Sequence, residues 1–233
     1  VEQLAMRCLC GTSLVLVCLS ATLAADEPPS TLFGWPLLLK EDFSSGSLAR
    51  LEPSAPRAWR IEEIDGNKVA SQFQHVVTDT PVRSPFNRAV FKDLIVGDFV
   101  LEVKLQSTAR DYPHRDLCLF FGYQDPAHMY YVHFGQSTDD HANQIFLVND
   151  APRKKISTKT TEGTPWDHQW HRARVVRRVQ SGSIEVYFDD WQSPVMTAVD
   201  HTFSCGQVGI GSFDDTGRFD DVLVYGVPVE RPR

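Results

Sequence analysis

Residues 125–136, DPAHMYYVHFGQ, place two tyrosines and two histidines on a run with strand periodicity. A phenol and an imidazole on one sheet face offer two kinds of chemistry. The ring faces stack on the C–H surface of a sugar, and the polar atoms hold hydroxyls or move a proton. Side chains alternate faces along a strand, so only half of these groups can share a face. A four-residue loop at 124–127, counted around Pro126, sets Leu117 opposite Phe134, Leu119 opposite Val132, Phe121 opposite Tyr130 and Tyr123 opposite His128. That row is nearly all apolar and belongs to a core. The other row carries Cys118, Phe120 and Gly122 facing His133, Tyr131 and Met129. With almost no charge it is not ordinary solvated surface, and it is expected to line an open face suited to carbohydrate, with Gly122 leaving room above the sheet. Asn143 and Gln144 are candidates to supply amides to that face, and Arg153 to reach sugar hydroxyls from the far end of QIFLVND. The competing reading is a covering loop or N-terminal arm that makes this row a second core layer. Cys118 facing His133 could form a thiolate nucleophile, although a small half-buried residue is the commoner role. The HxxH spacing of His168 and His171 lacks an evident third ligand, so zinc is not expected.

The elements that must position these groups are strands. In DFVLEVKLQS, Phe99, Leu101, Val103 and Leu105 point one way, and Glu102, Lys104 and Gln106 the other. The same alternation recurs in RAVFKDL, SIEVYFDD, HRARVVRRV, QVGIGSF and FDDVLVYG. Turn chemistry separates the runs, as at Asp65-Gly66 and Ser181-Gly182. No amphipathic helix of three turns is evident. Roughly a dozen short strands in one chain of this size predict an all-β, antiparallel two-sheet jelly-roll sandwich.

Residues 1–25 read as a signal peptide, with Arg7 before the apolar run SLVLVCLSATLAA and Met6 as a natural initiator. The run is too short to span a bilayer comfortably, so the expectation is export to the periplasm or the medium without a membrane span. Residues 26–36 are expected to be a loose lead, and residues 37–233 one sandwich domain. The leader removes one acid and one base, Glu2 and Arg7, so the net charge of −7 is unchanged. An acidic chain argues against nucleic acid or an anionic membrane as partner. Of five cysteines, Cys8, Cys10 and Cys18 lie in the leader, and Cys118 and Cys205 are expected to be free thiols.

The order WHRARVVRR (170–178), IEVYFDD, then GQVGIGSFDDTGRFDDVLVYG (206–226) resembles the concanavalin A-like lectin/glucanase superfamily. With EDFSSGSL near the start and a Trp-led hairpin, the chain looks most like secreted bacterial domains of the 3-keto-disaccharide hydrolase domain family. The resemblance runs from about Leu38 to Val227 and is specific for fold rather than activity. It implies a jelly roll that engages oligosaccharide or polysaccharide. One departure is plain. Family 16 glucanases carry Glu-x-Asp-x-x-Glu, whereas here Glu63-Ile64-Asp65 is followed by Lys68 where the second glutamate belongs.

For an enzyme of the 3-keto type, the resemblance implies a base that removes the acidified C2 proton, departure of the glycosidic oxygen and addition of water. His133 is the candidate base, Tyr131 the proton donor and Asp116 a helper, while Phe120, Met129, Asn143, Gln144 and Arg153 would bind the ligand. The alternatives are a glycan-binding module without turnover, and a protein-interaction or adhesion module. In jelly rolls of this superfamily the first strand often lies beside the last, which makes Asp42 and Asp221 candidates for a structural calcium; turn-forming aspartates are the plainer account. No other cofactor is implied. Arg172, Arg174 and Arg178 share a face, with Glu185 and Asp189 expected across the hairpin.

Overall fold

The computed structural model describes residues 27–230, so the expected signal peptide lies outside the described residues. Among the described residues there are sixteen strands and one short 3-10 turn, Pro56–Ala58. None of these elements is a helix long and apolar enough to cross a membrane.

Two layers are built around one long strand, Asn87–Ser107, where the sequence predicts two. Its first half, 87–96, pairs with Gly206–Ser212, and Leu51–Pro53 pairs with it as well. Beyond Gly206–Ser212 the layer continues through Asp116–Asp125, His128–Gly135, Gln144–Asn149 and Lys154–Lys155. The second half, 99–107, lies between His171–Arg178 and Gly217–Pro228. Ser183–Phe188, Met196–Val199 and Ser157–Lys159 extend that layer on one side. Trp35–Glu41 extends it on the other, so the first long strand does lie beside the last. Every pairing is antiparallel, as expected of short alternating strands joined by tight turns.

The inner faces meet in a single core. Leu117, Leu119, Phe121, Tyr130, Val132 and Phe134 from one layer join Leu101, Val103, Leu105, Val175 and Val186 from the other. Each such side chain contributes about 1.5–3 kcal/mol by leaving water. Residues 31–36, expected as a loose lead, form a small hairpin whose Leu32 and Trp35 pack on the outer cluster of Val100, Val176 and Tyr225. Cys118 and Cys205 are free thiols.

Three of the four cross-strand pairs expected around Pro126 are present: Leu117 with Phe134, Leu119 with Val132, and Phe121 with Tyr130. The fourth is not. His128 pairs with Asp125 across a two-residue turn, and the register shifts between Phe121 and Asp125. Gly122 (φ +55°) sits at that irregularity, where a Cβ would approach Tyr130 to 3.0 Å. It therefore lets the strand bulge rather than clearing space above the sheet.

Candidate ligand pocket beside His133

The face expected to be open is covered. Phe120, Met129 and Tyr131 have no exposure to solvent and form a second apolar cluster with Cys118, Phe146, Val148 and Phe213. Val82 and Phe86 pack against it from the segment between Gln72 and Asn87. That segment is tied down by the Phe86 amide on the Phe213 carbonyl (3.1 Å) and by the Phe86 and Phe213 rings, 5.4 Å apart. Stacked rings and a thioether thus meet a cover instead of a ligand, so Phe120, Met129 and Tyr131 are not ligand-facing.

What remains open is one end of this face, a pocket of about 410 Å³. His133 and Arg153 line it, together with Arg83, Tyr112, Pro113, His114, His141, Phe213 and Asp214. Of the side chains expected to act on a ligand, only His133 and Arg153 reach it.

His133 is held by its strand and by the next one. Its Nδ1 accepts the Asn143 amide at 3.3 Å, so in the neutral ring the proton resides on Nε2. Burial, aided by the positive charge of Arg153, lowers its pKa to about 3. Nε2 stands 3.7 Å from Oδ2 of Asp116, a fully buried carboxylate. Asp116 lies beneath the pocket, where Oδ2 accepts the Phe213 amide (2.8 Å) and the Cys118 thiol (3.2 Å), while Oδ1 is buried without a partner. Burial and neighbouring Asp215 push its carboxyl well above the ordinary carboxylate range.

Arg153 is clamped. Its guanidinium lies over Phe213 (4.2 Å) and Phe146 (4.9 Å), and Nη1 donates to the Tyr131 hydroxyl at 3.1 Å. Its Nε is buried and unpartnered. The Arg153 amide donates to the Arg83 carbonyl (3.1 Å), and the Arg83 guanidinium lies 5.4 Å from the same Phe213 ring. Two cations therefore flank one aromatic ring at the pocket wall.

Asn143 and Gln144 serve the neighbouring loops instead. Asn143 (φ +53°) is fully buried, donates to Thr138 Oγ1 at 2.7 Å and accepts from Thr164 Oγ1 at 2.9 Å. Gln144 Nε2 donates to the Asp139 carbonyl at 3.0 Å. A buried amide needs its partners, and these two find theirs in Thr138, Thr164 and Asp139, while neither residue lines the pocket.

The expected calcium pair does not form a cage. Asp42 and Asp221 do line one groove, of about 360 Å³ on the outer face of the second layer. Asp221, however, pairs with the Lys104 ammonium at 2.9 Å, and Asp42 accepts the Ser44 amide at 3.0 Å. A lysine already neutralises the site. The three acids that do converge among the described residues are Asp116, Asp214 and Asp215, with carboxylate oxygens within 4.8 Å of one another. Carboxylate oxygens are the hard donors that a divalent cation such as calcium takes, and Asp116 has one oxygen, Oδ1, without a hydrogen-bond partner. Asp215 Oδ2 is already engaged by the Tyr112 hydroxyl (2.8 Å) and the Asp116 amide (2.7 Å).

Solved structures of similar fold are known. A carbohydrate-binding module, CBM66 from Bacillus subtilis, superposes with a TM-score of 0.53 at 18% identity, over 76% of this chain and 96% of that one. Lectin I from Ulex europaeus, solved with the methyl glycoside of α-L-fucose, gives 0.55 at 11% identity, over 80% and 96%. A Bacillus subtilis protein of unknown function with a galectin-like fold gives 0.50 at 12% identity, over 84% and 97%. The fold is the concanavalin A-like sandwich. No family model matches the chain, and no curated protein matches it by sequence. At such identities the similarity carries the architecture and not the site.

The pocket residues that sequence reasoning missed include Arg83, Tyr112, His114, His141, Phe213 and Asp214. All lie in connections rather than strands. One signal was available: Asp116 opens its strand opposite Gly135, so the segments before the first and after the second must crowd the same end.

Proposed function

We propose that the chain is an exported carbohydrate-binding β-sandwich protein, a single domain following a cleaved leader, whose sugar site is the pocket beside His133. The observation that carries this reading is the pocket's lining, where imidazoles, guanidinium groups and the Asp214 carboxylate converge around Phe213 and Tyr112. Fixed polar groups beside aromatic surface are what sugar hydroxyls and C–H faces require, and the volume is within the range of small-ligand sites. The similarity in fold to a carbohydrate-binding module and a lectin supports it.

Binding without turnover is favoured over hydrolysis of 3-keto-disaccharides. An effective base has a pKa near the working pH, whereas His133 is held at about 3, each unit of lost basicity costing about 1.4 kcal/mol. Tyr131, the proposed proton donor, has no exposure, and burial raises its pKa well above the ordinary phenol value.

A glycan array followed by titration calorimetry tests the reading. The expected result is saturable binding of at least one glycan, weakened by Asp214→Asn or His114→Ala, both at exposed side chains. Absence of binding to every glycan would remove the proposal. Release of free sugar from a 3-keto-glucoside, abolished in His133→Ala, would replace it with an enzyme.

A further inference from the structure

We infer that the pocket beside His133 selects an anionic sugar, a uronic acid or a sulfated unit, whose charged oxygens bridge Arg83 and Arg153. The inference rests on the carbohydrate-binding reading and adds the ligand class.

Four observations carry it. The two guanidinium groups lie 5.4 and 4.2 Å from the centroid of one ring, Phe213, inside the same pocket. Neither forms an ion pair among the described residues, although the chain carries a net charge of −7 and most of its other buried or half-buried arginines have acidic or carbonyl partners. Arg153 is also fixed in advance, since Phe213, Phe146 and the Tyr131 hydroxyl hold it while its Nε is buried with nothing to donate to. Finally, the acid beneath the pocket, Asp116, pairs with neither guanidinium, its Oδ2 accepting the Phe213 amide and the Cys118 thiol instead.

Two like charges brought to one ring repel each other, and a buried donor left unmade is costly. A carboxylate or sulfate relieves both, accepting charge-assisted bonds from the planar forks. Asp214 lines the same pocket and pairs with neither arginine, which leaves its oxygens free to accept hydroxyls of the sugar ring. A neutral sugar would satisfy the hydroxyl side alone. A bare anion would satisfy the arginines alone.

The test is calorimetry on the intact chain with trigalacturonate, its methyl ester, neutral galactotriose, galactose 6-sulfate, and acetate and inorganic sulfate as bare anions. Trigalacturonate or galactose 6-sulfate should bind at least tenfold tighter than the ester and the neutral sugar, and whichever leads identifies the anion. The preference should shrink as salt is raised, and Arg83→Gln, at an exposed side chain, should lower the affinity for the anionic sugar severalfold more than that for the ester or the neutral sugar. Arg153→Gln should do the same if its circular dichroism stays native; Arg83→Gln decides the matter if it does not. Equal affinity for acid, ester and neutral sugar overturns the charge selectivity but leaves the carbohydrate reading standing. Acetate or sulfate binding as tightly as any sugar overturns this inference, and failure of every sugar overturns both.

Discussion

Nε2 of His133 stands 3.7 Å from Oδ2 of Asp116, yet the two are not an ion pair in the usual sense. Burial moves their proton affinities in opposite directions, lowering the imidazole to about 3 and raising the carboxyl. Removing both from water disfavours both charges, and for Asp116 the Phe213 amide and the Cys118 thiol only partly offset the burial. The imidazole ring signals of His133 should therefore stay flat between pH 5 and 8 in an NMR titration. A midpoint near the ordinary histidine value would show that the pocket wets this ring.

The depressed imidazole has a consequence for stability. A histidine whose folded pKa lies below its unfolded value stabilises the fold above about 6.5 and loses that contribution as pH falls toward about 3. His133→Gln, which keeps an acceptor for the Asn143 amide, should flatten the acid limb of the stability curve. The difference should reach about 2–3 kcal/mol between pH 6.5 and roughly pH 4.5, read by urea denaturation at each pH.

Asp116 acts with the opposite sign. Its folded pKa is raised, so its contribution is present below the unfolded value and lost as pH rises through the folded one. Asp116→Asn retains an oxygen for the Phe213 amide and has no charge to bury. It should melt higher than wild type at neutral pH, with the advantage vanishing in acid. Calcium is the control, because an ion among Asp116, Asp214 and Asp215 would instead raise the wild-type melting temperature and leave the variant unmoved.

Tyr130 ties the first layer to the connection that follows Met196–Val199. Its hydroxyl donates to Asp200 Oδ1 (2.5 Å) and accepts the Phe203 amide (3.0 Å). Tyr130→Phe leaves that amide without its acceptor. A loss of about 1–3 kcal/mol is expected from chemical denaturation.

Arg174 and Glu102 form a hydrogen-bonded pair on the outer face of the second layer, with Trp191 over the guanidinium at 4.3 Å. Arg174→Met alone strands a largely buried carboxylate and should cost about 3 kcal/mol. The double change with Glu102→Leu should recover most of that loss. A double variant no more stable than the single one would mean that the cost lies in lost packing against Trp191.

Architecture was legible because alternation and turn residues are local. Phe99 to Leu105 announce a half-buried strand without knowledge of their neighbours, and Asp65-Gly66, with φ of +51° and +82°, makes its hairpin turn from two residues alone. The site was less legible. His133 and Arg153, two of the candidates, line the pocket, but the row containing Tyr131 is covered, and nothing in its own strand announces that Val82 and Phe86 will lie over it. Arg83, His114 and Phe213 come from connections far apart in the chain, and their convergence depends on which strand ends meet. The arginines were assigned to cross-strand pairs, and Arg178 does meet Glu185 at 2.9 Å, whereas Arg174 turned to Glu102 on the other neighbour. A strand flanked on both sides offers two choices, and periodicity does not rank them.

Because Asn87–Ser107 is a rung of both ladders, neither layer owns a complete set of strands. Peeling one away tears the seam of the other, so the halves of the sandwich share one fate on melting. The connections that shape the pocket do not form that seam, which leaves the rim free to diverge in evolution while the frame stays put.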